Sequence, residues 1–181
     1  MMTEQELQNL KYPIGEFKIK QSITPDDIKW YINTIELFPA KIKQAVAGLT
    51  DEQLDTRYRP EGWTIRQVIH HVTDSHINSY TRFKLALTED TPEILPYHEE
   101  LWAELPEAKS GPLELSIPLL EALHKRWTAM LKNISPPALK RRLYHPGTKT
   151  EMTIESLMSL YSWHCDHHLA HIIRLKKQKN W

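Results

Sequence analysis

An all-α fold, a four-helix bundle in one domain over residues 1–181, is predicted by three observations. Four stretches carry apolar residues at helical spacing, start and stop signals bracket them, and strand patterning is sparse. The composition agrees: 181 residues, 40% of them hydrophobic and only 12 prolines and 5 glycines, describe a folded chain rather than a disordered or collagen-like one. At this length folding hides roughly 70% of the extended chain's surface, enough for one continuous core.

Leu7 to Ser22, with Pro13, Gly15 and the alternating Phe17 and Ile19, reads as an extended N-terminal arm with one short strand. Thr24-Pro25-Asp26-Asp27 starts the first helix: a capping hydroxyl, a proline where its missing N–H costs nothing, and carboxylates beside the free amides of the first turn. Its apolar spacing continues past Pro39, where a kink or interruption is expected, to an end near Gly48. Thr64 opens the second helix with Gln67 completing a capping box, and the helix runs to about Leu87. The 28 residues Thr88 to Leu115 hold four prolines; a connection this long suggests a lid or binding loop, with Tyr97 to Leu105 able to form a short helix. Ser116 is read as the cap of the third helix, which Pro136 and Pro137 stop. Arg141 to Thr150 suits a small hairpin or irregular crossing. Thr153 opens the fourth helix, whose basic end (Arg174, Lys176, Lys177, Lys179) complements the helix dipole.

Charge excludes some functions. Twenty-three basic residues balance twenty-three acidic ones, without the excess that non-specific nucleic-acid binding needs. No apolar run is long enough to span a membrane, and the first six residues lack the zones of a signal peptide. The single Cys165 cannot close an intrachain disulfide, and with the other signs this leads to an expectation of a cytoplasmic protein.

Histidine is the departure from the ordinary. Of ten, four fall within the eight residues from His164 to His171. On a helical wheel His164, His168 and His171 lie on or beside the apolar face of the fourth helix, while Asp166 points away. His164 and His168, one turn apart, can converge on one ion as neutral nitrogen donors suited to zinc, nickel or iron, and His167 with His171 forms an alternative pair. Several imidazoles in a low-dielectric core repel if charged, which a metal resolves. A third ligand must come from another helix; periodicity on the second helix ranks His76 first, His71 second, and His70, on the opposite side, last. Cys165 reads as a small packed hydrophobe and Trp63 as an anchor for the chain's entry into the second helix.

The block Pro60-Glu61-Gly62-Trp63-Thr64-Ile65-Arg66-Gln67-Val68-Ile69-His70-His71-Val72-Thr73-Asp74-Ser75-His76 is followed by Arg82-Phe83-Lys84 and by Trp163-His164-Cys165-Asp166-His167-His168-Leu169-Ala170-His171-Ile172. In this order the motifs closely resemble the DinB superfamily and, within it, the YfiT-like metal-dependent hydrolases of Gram-positive bacteria, over essentially the whole chain. The resemblance implies a DinB-like bundle with a long crossover connection, often a homodimer. It also implies one divalent ion per subunit, zinc or nickel, held octahedrally by His71, His164 and His168 with waters in the remaining positions. His76 is then left to packing or to support of the ligands.

Three histidine ligands leave positions open for water or substrate, so hydrolysis of a small molecule is the simplest chemistry. The same opening suits a thiolate, and relatives of the family are thiol S-transferases using bacillithiol or a similar small thiol. A non-enzymatic module stabilised by its ion is the third alternative. No general base is legible: no His-Glu-x-x-His occurs, Asp166 points outward, and Tyr80, Tyr144, His145 and His124 are only candidate contacts. Since an ordinary imidazole titrates near 6.5, metal affinity is expected to fall across roughly pH 6 to 4.

Overall fold

The computed structural model describes residues 3–181; Met1 and Met2, the start of the stretch read for a signal peptide, lie outside the described residues. The helices are α1 (Glu4–Lys11), α2 (Pro25–Val46), α3 (Asp51–Leu54), α4 (Ile65–Thr88), α5 (Glu99–Trp102), α6 (Pro106–Ser110), α7 (Ile117–Leu131) and α8 (Ile154–Lys179). One antiparallel hairpin joins β1 (Arg142–His145) to β2 (Thr150–Thr153). Four threonines start helices in the same way. Thr3, Thr24, Thr50 and Thr64 each accept from the backbone N–H three residues on, while Glu6, Asp27, Gln53 and Gln67 return the bond to the cap amide.

Several details depart from the sequence reading. Leu7 to Lys11 belongs to helix α1 rather than to an extended arm, because the Thr3–Glu6 box nucleates a turn there; from Tyr12 to Ile23 the arm has no strand. It is pinned across α8, with Trp163 Nε1 donating to the Gly15 carbonyl at 3.1 Å. Helix α2 continues through Pro39 without interruption. The short α3, capped by Thr50, adds a turn of helix that the sequence reading does not include. Ser116 makes no capping bond at the start of α7; its Oγ instead lies 2.7 Å from His70 Nδ1.

The bundle consists of α2, α4, α7 and α8. Helices α2 and α4 each pack against both α7 and α8, so the consecutive α2 and α4 stand diagonally across the bundle. The connection from α4 to α7 is therefore a long crossover. Between the helices lie Phe38, Ile35, Ile69, Phe83, Trp127, Met158 and Cys165, all essentially inaccessible to solvent. Fully burying an aliphatic or aromatic side chain stabilises by roughly 1.5–3 kcal/mol, so this interior supplies the main favourable term.

The crossover also explains an unusual feature of α4. Every residue from Ile65 to Thr73 is buried, on the polar side of the helix as well as the apolar one. The polar side chains there are matched one by one. Arg66 donates to Asp55 at 2.6 Å, to Asp51 at 2.7 Å and to the Gly111 carbonyl at 3.1 Å, while Gln67 donates to the Ala103 carbonyl at 2.7 Å. Gly111 sits so close to α6 that an added Cβ would lie 2.3 Å from the Glu107 carbonyl oxygen, so only glycine fits where the crossover docks.

Arg66 thus ties α3, α4 and the crossover through one buried guanidinium. Replacing it with Met keeps the apolar stem and removes three charge-assisted bonds, and is expected to cost about 2–3 kcal/mol, discounted because the aspartates are exposed. Urea unfolding of R66M measures this. A change below about 0.5 kcal/mol, the range of an inert surface substitution, would show that the crossover docks without it.

Candidate metal centre

Local structure brings the histidines together from two helices. Helix α4, started at Thr64, delivers His71 two turns in; α8, started at Thr153, delivers His164 and His168 one turn apart on the same face. One ligand nitrogen from each of His71, His164 and His168 lies within 4.8 Å of the other two, close enough for all three to touch one ion. The ring centroids of His71 lie 5.6 Å from those of His164 and 4.8 Å from those of His168. His167, His168 and His171 form a second grouping within the same span. In that one, however, His167 Nε2 and His171 Nε2 already meet each other at 3.1 Å.

The three residues form the floor of a cleft of about 570 Å³. Aromatic rings wall it: Trp63 lies 4.4 Å from His71, Trp163 stacks on His167 at 4.4 Å, and Tyr58 stacks on His171 at 3.9 Å. Trp63 therefore faces the cleft as well as anchoring the chain before α4. The rim comes from the end of α1 (Lys11), the turn at Arg59 and Glu61, and the crossover, which contributes Glu99 and Glu100. The long connection does border the histidines, as its length suggests.

Burial sets the protonation. His71 is pushed down to about 3, chiefly by loss of solvent and then by the proximity of His167. His164 and His168 are driven well below the usual imidazole value, again first by burial and then by the neighbouring histidines. All three are neutral at pH 7, the form that ligates metal. His168 Nδ1 is buried without a hydrogen-bond partner. A set of neutral nitrogen donors open to a cleft, with an unsatisfied imidazole among them, fits a divalent ion. Burial thus moves proton competition for these nitrogens to lower pH than in a free imidazole.

The other histidines are placed differently from one another. His76, which periodicity ranked first, is completely buried in the bundle; its Nε2 lies 3.1 Å from His164 Nδ1 and its Nδ1 2.8 Å from His124 Nε2. His70 is away from the cluster, yet it is buried rather than turned to solvent, held between Ser116 and the Gly111 carbonyl. The wheel placed it on a polar side that the crossover then covers. Asp166 is half-buried and does not line the cleft, and Cys165 is a buried thiol in the core. Glu99, Glu100, Tyr58 and Arg59 escaped the sequence reading, since irregular segments carry no periodicity to place their side chains.

Comparison with known proteins extends these observations. The model of the DinB superfamily matches residues 34–172. "Putative metal-dependent hydrolase YfiT" of Bacillus subtilis (strain 168) is 51% identical over 173 residues, covering 96% of this chain and 97% of that protein. A relative from Bacillus cereus (strain AH820), also named a "Putative metal-dependent hydrolase", is 49% identical over 175 residues, covering 97% of this chain and all of its own. The solved structure of Bacillus subtilis YfiT, described as a four-helix bundle of unusual topology, superposes with a TM-score of 0.93 over 96% of this chain and 99% of that one. With its four-helix architecture, its histidine cluster and relatives half identical over nearly their whole length, this chain belongs to the DinB superfamily, among its YfiT-like members.

Proposed function

We propose that the protein is a metal-dependent hydrolase whose divalent ion, zinc or nickel, is held by His71, His164 and His168. The observation that carries this reading is the convergence of three neutral imidazoles within 4.8 Å at the floor of an open cleft. Among the described residues no fourth donor joins these three within that span, which suits a centre that keeps positions open rather than a closed structural site. When bound, such an ion lowers the pKa of water and polarises an acyl oxygen. The chain itself supplies the rest. Trp63 and Trp163 confine a substrate beside the histidines, and the crossover presents the Glu99 and Glu100 carboxylates to the same cleft. The names of the relatives support the same chemistry.

A screen of ester and amide substrates with the zinc- or nickel-loaded protein, run with and without a small thiol, separates the two reactions open to such a centre. Hydrolysis products formed without thiol are expected. Products formed only as thiol adducts would replace this reading with S-transfer.

The ligand assignment predicts that H164A loses most of its bound metal while H70A keeps it, because His70 is occupied by Ser116 and Gly111 on the other side of α4. Metal analysis of the two purified variants decides it. Equal loss in both, with both folded, would remove His164 from the centre.

The same burial that keeps the donors neutral makes the fold acid-sensitive. His71 and His171 are held at about 3, and His124 and His167 at about 4, all by burial first, whereas in the unfolded chain each titrates near 6.5. The unfolded chain therefore binds more protons below that value. The stability from these neutral rings is fully present above about pH 6.5 and is lost as pH falls through the depressed values, at up to about 1.4 kcal/mol per histidine per pH unit. Urea unfolding of metal-free protein is expected to show a loss of several kcal/mol between pH 8 and 5. Equal stability at the two pH values would mean that these rings titrate as if exposed.

A further inference from the structure

Two buried histidines, His76 and His124, lie outside the ligand set, yet both ring nitrogens of each are engaged. His124 Nδ1 lies 2.6 Å from the Ile35 carbonyl oxygen, His124 Nε2 lies 2.8 Å from His76 Nδ1, and His76 Nε2 lies 3.1 Å from His164 Nδ1. The line starts at a carbonyl that the sequence has freed. In a helix the Ile35 oxygen would accept from the backbone N–H of residue 39, but residue 39 is proline and carries none. A buried carbonyl without a donor is costly, and His124 supplies one from the facing helix α7.

That first bond dictates the others. A carbonyl oxygen only accepts, so His124 Nδ1 must carry the hydrogen and donate it. A neutral imidazole has one N–H, which leaves His124 Nε2 as an acceptor. His76 Nδ1 must then be the donor to it, which makes His76 Nε2 an acceptor in turn. His164 Nδ1 must donate to His76, and the lone pair of His164 falls on Nε2. Reversing the direction would set an unprotonated His124 Nδ1 against the Ile35 oxygen, two acceptors 2.6 Å apart. Neutrality of the starting ring follows from its surroundings: His124 lies in the core between Phe38 and Trp127, and burial holds it at about 4.

We propose that the Ile35 carbonyl, freed by Pro39 and acting through His124 and His76, fixes His164 in its Nδ1–H tautomer and so presents the Nε2 lone pair to the metal. His124 and His76 are positioning residues, and the assignment rests on the reading of His164 as a ligand. The role matches a general requirement of histidine-ligated metals, whose ligand rings need their second nitrogen held by a partner. Here the partner is a chain of imidazoles that visits all four bundle helices, α8, α4, α7 and α2 in that order.

Two measurements test it. In zinc-loaded protein labelled with ¹⁵N at histidine, long-range ¹H–¹⁵N correlation at pH 7.5 is expected to show protonated Nδ1 and unprotonated Nε2 for both His124 and His76. A protonated Nε2 on either ring overturns the chain whatever any variant does. Zinc affinity, read by competition with a chromophoric chelator, is then compared in H124L, H124Q and H164A. His124→Gln keeps an acceptor for His76 and a donor for Ile35, whereas His124→Leu keeps neither. H124L is expected to bind zinc about 10–100-fold more weakly than the parent, and H124Q close to the parent. If H164A loses zinc but H124L binds like the parent, the positioning role is wrong and the metal centre stands. Equal weakening in H124L and H124Q would make the effect one of packing and also overturn it. If H164A itself keeps zinc, the ion is not at His164 and both readings fall.

Discussion

One carbonyl group organises the interior of this bundle. Pro39 sits inside α2 without breaking it, and the cost of the proline is a missing donor for Ile35. In a core packed with Phe38, Ile69 and Trp127 a freed carbonyl needs a donor, and here a polar side chain from another helix supplies it. His124 does this, and once one imidazole is buried its second nitrogen needs a partner as well. His76 answers it and passes the same demand to His164. The burial of polar groups, usually a liability in a core, here becomes a sequence of obligations that ends at the floor of the cleft.

The crossover imposes a second constraint. Because α2 and α4 are diagonal, the chain leaving α4 must travel over the outside of the bundle to reach α7, and it covers the first turns of α4 on the way. This is why Arg66, Gln67 and His70 are buried and why each has partners on the crossover or the segment before α4. The same passage brings Glu99 and Glu100 to the cleft and closes one side of it. The diagonal topology and the shape of the site are thus consequences of the same long connection. A bundle with a short turn between neighbouring helices would leave this end of α4 facing water.

Much of this was legible in the sequence, and the parts that were not share a physical cause. The four long helices announce themselves through apolar spacing and through Thr24, Thr64 and Thr153 at their starts. Helices α1 and α3 carry equally good capping boxes, but four to eight residues are too few to display periodicity, so the signals at Thr3 and Thr50 go unread. The wheel places His164 and His168 on an inward face because that depends only on their own helix. It ranks His76 over His71 because it measures depth, and His76 lies in the core behind His164 rather than on the cleft wall. His71 lies on the flank, where α4 and α8 part and a ligand can enter. Bonds such as His124 to Ile35, 89 residues apart, leave no local pattern to read.

The neighbourhood of the three converging histidines bears on what kind of centre they make. A closed structural site takes a fourth protein donor, and a nearby candidate in the chain is His167, adjacent to His168 and lining the same cleft. Its Nε2 is instead turned to His171 at 3.1 Å, and its ring is stacked against Trp163, which the arm holds through Gly15. The N-terminal arm therefore does more than cover α8. By fixing Trp163 it fixes the plane of His167, and that plane directs His167 Nε2 to His171 rather than toward His71 and His164. Seven of the ten histidines are buried and His164 is half-buried, yet only His71, His164 and His168 converge on the floor of the cleft. What separates the three from the rest is what remains free: His70, His76 and His124 have partners for both ring nitrogens and His167 and His171 are turned to each other, whereas among the described residues His71, His164 and His168 each keep a nitrogen with no partner within the protein. An ion placed here meets nitrogens that the fold has left over.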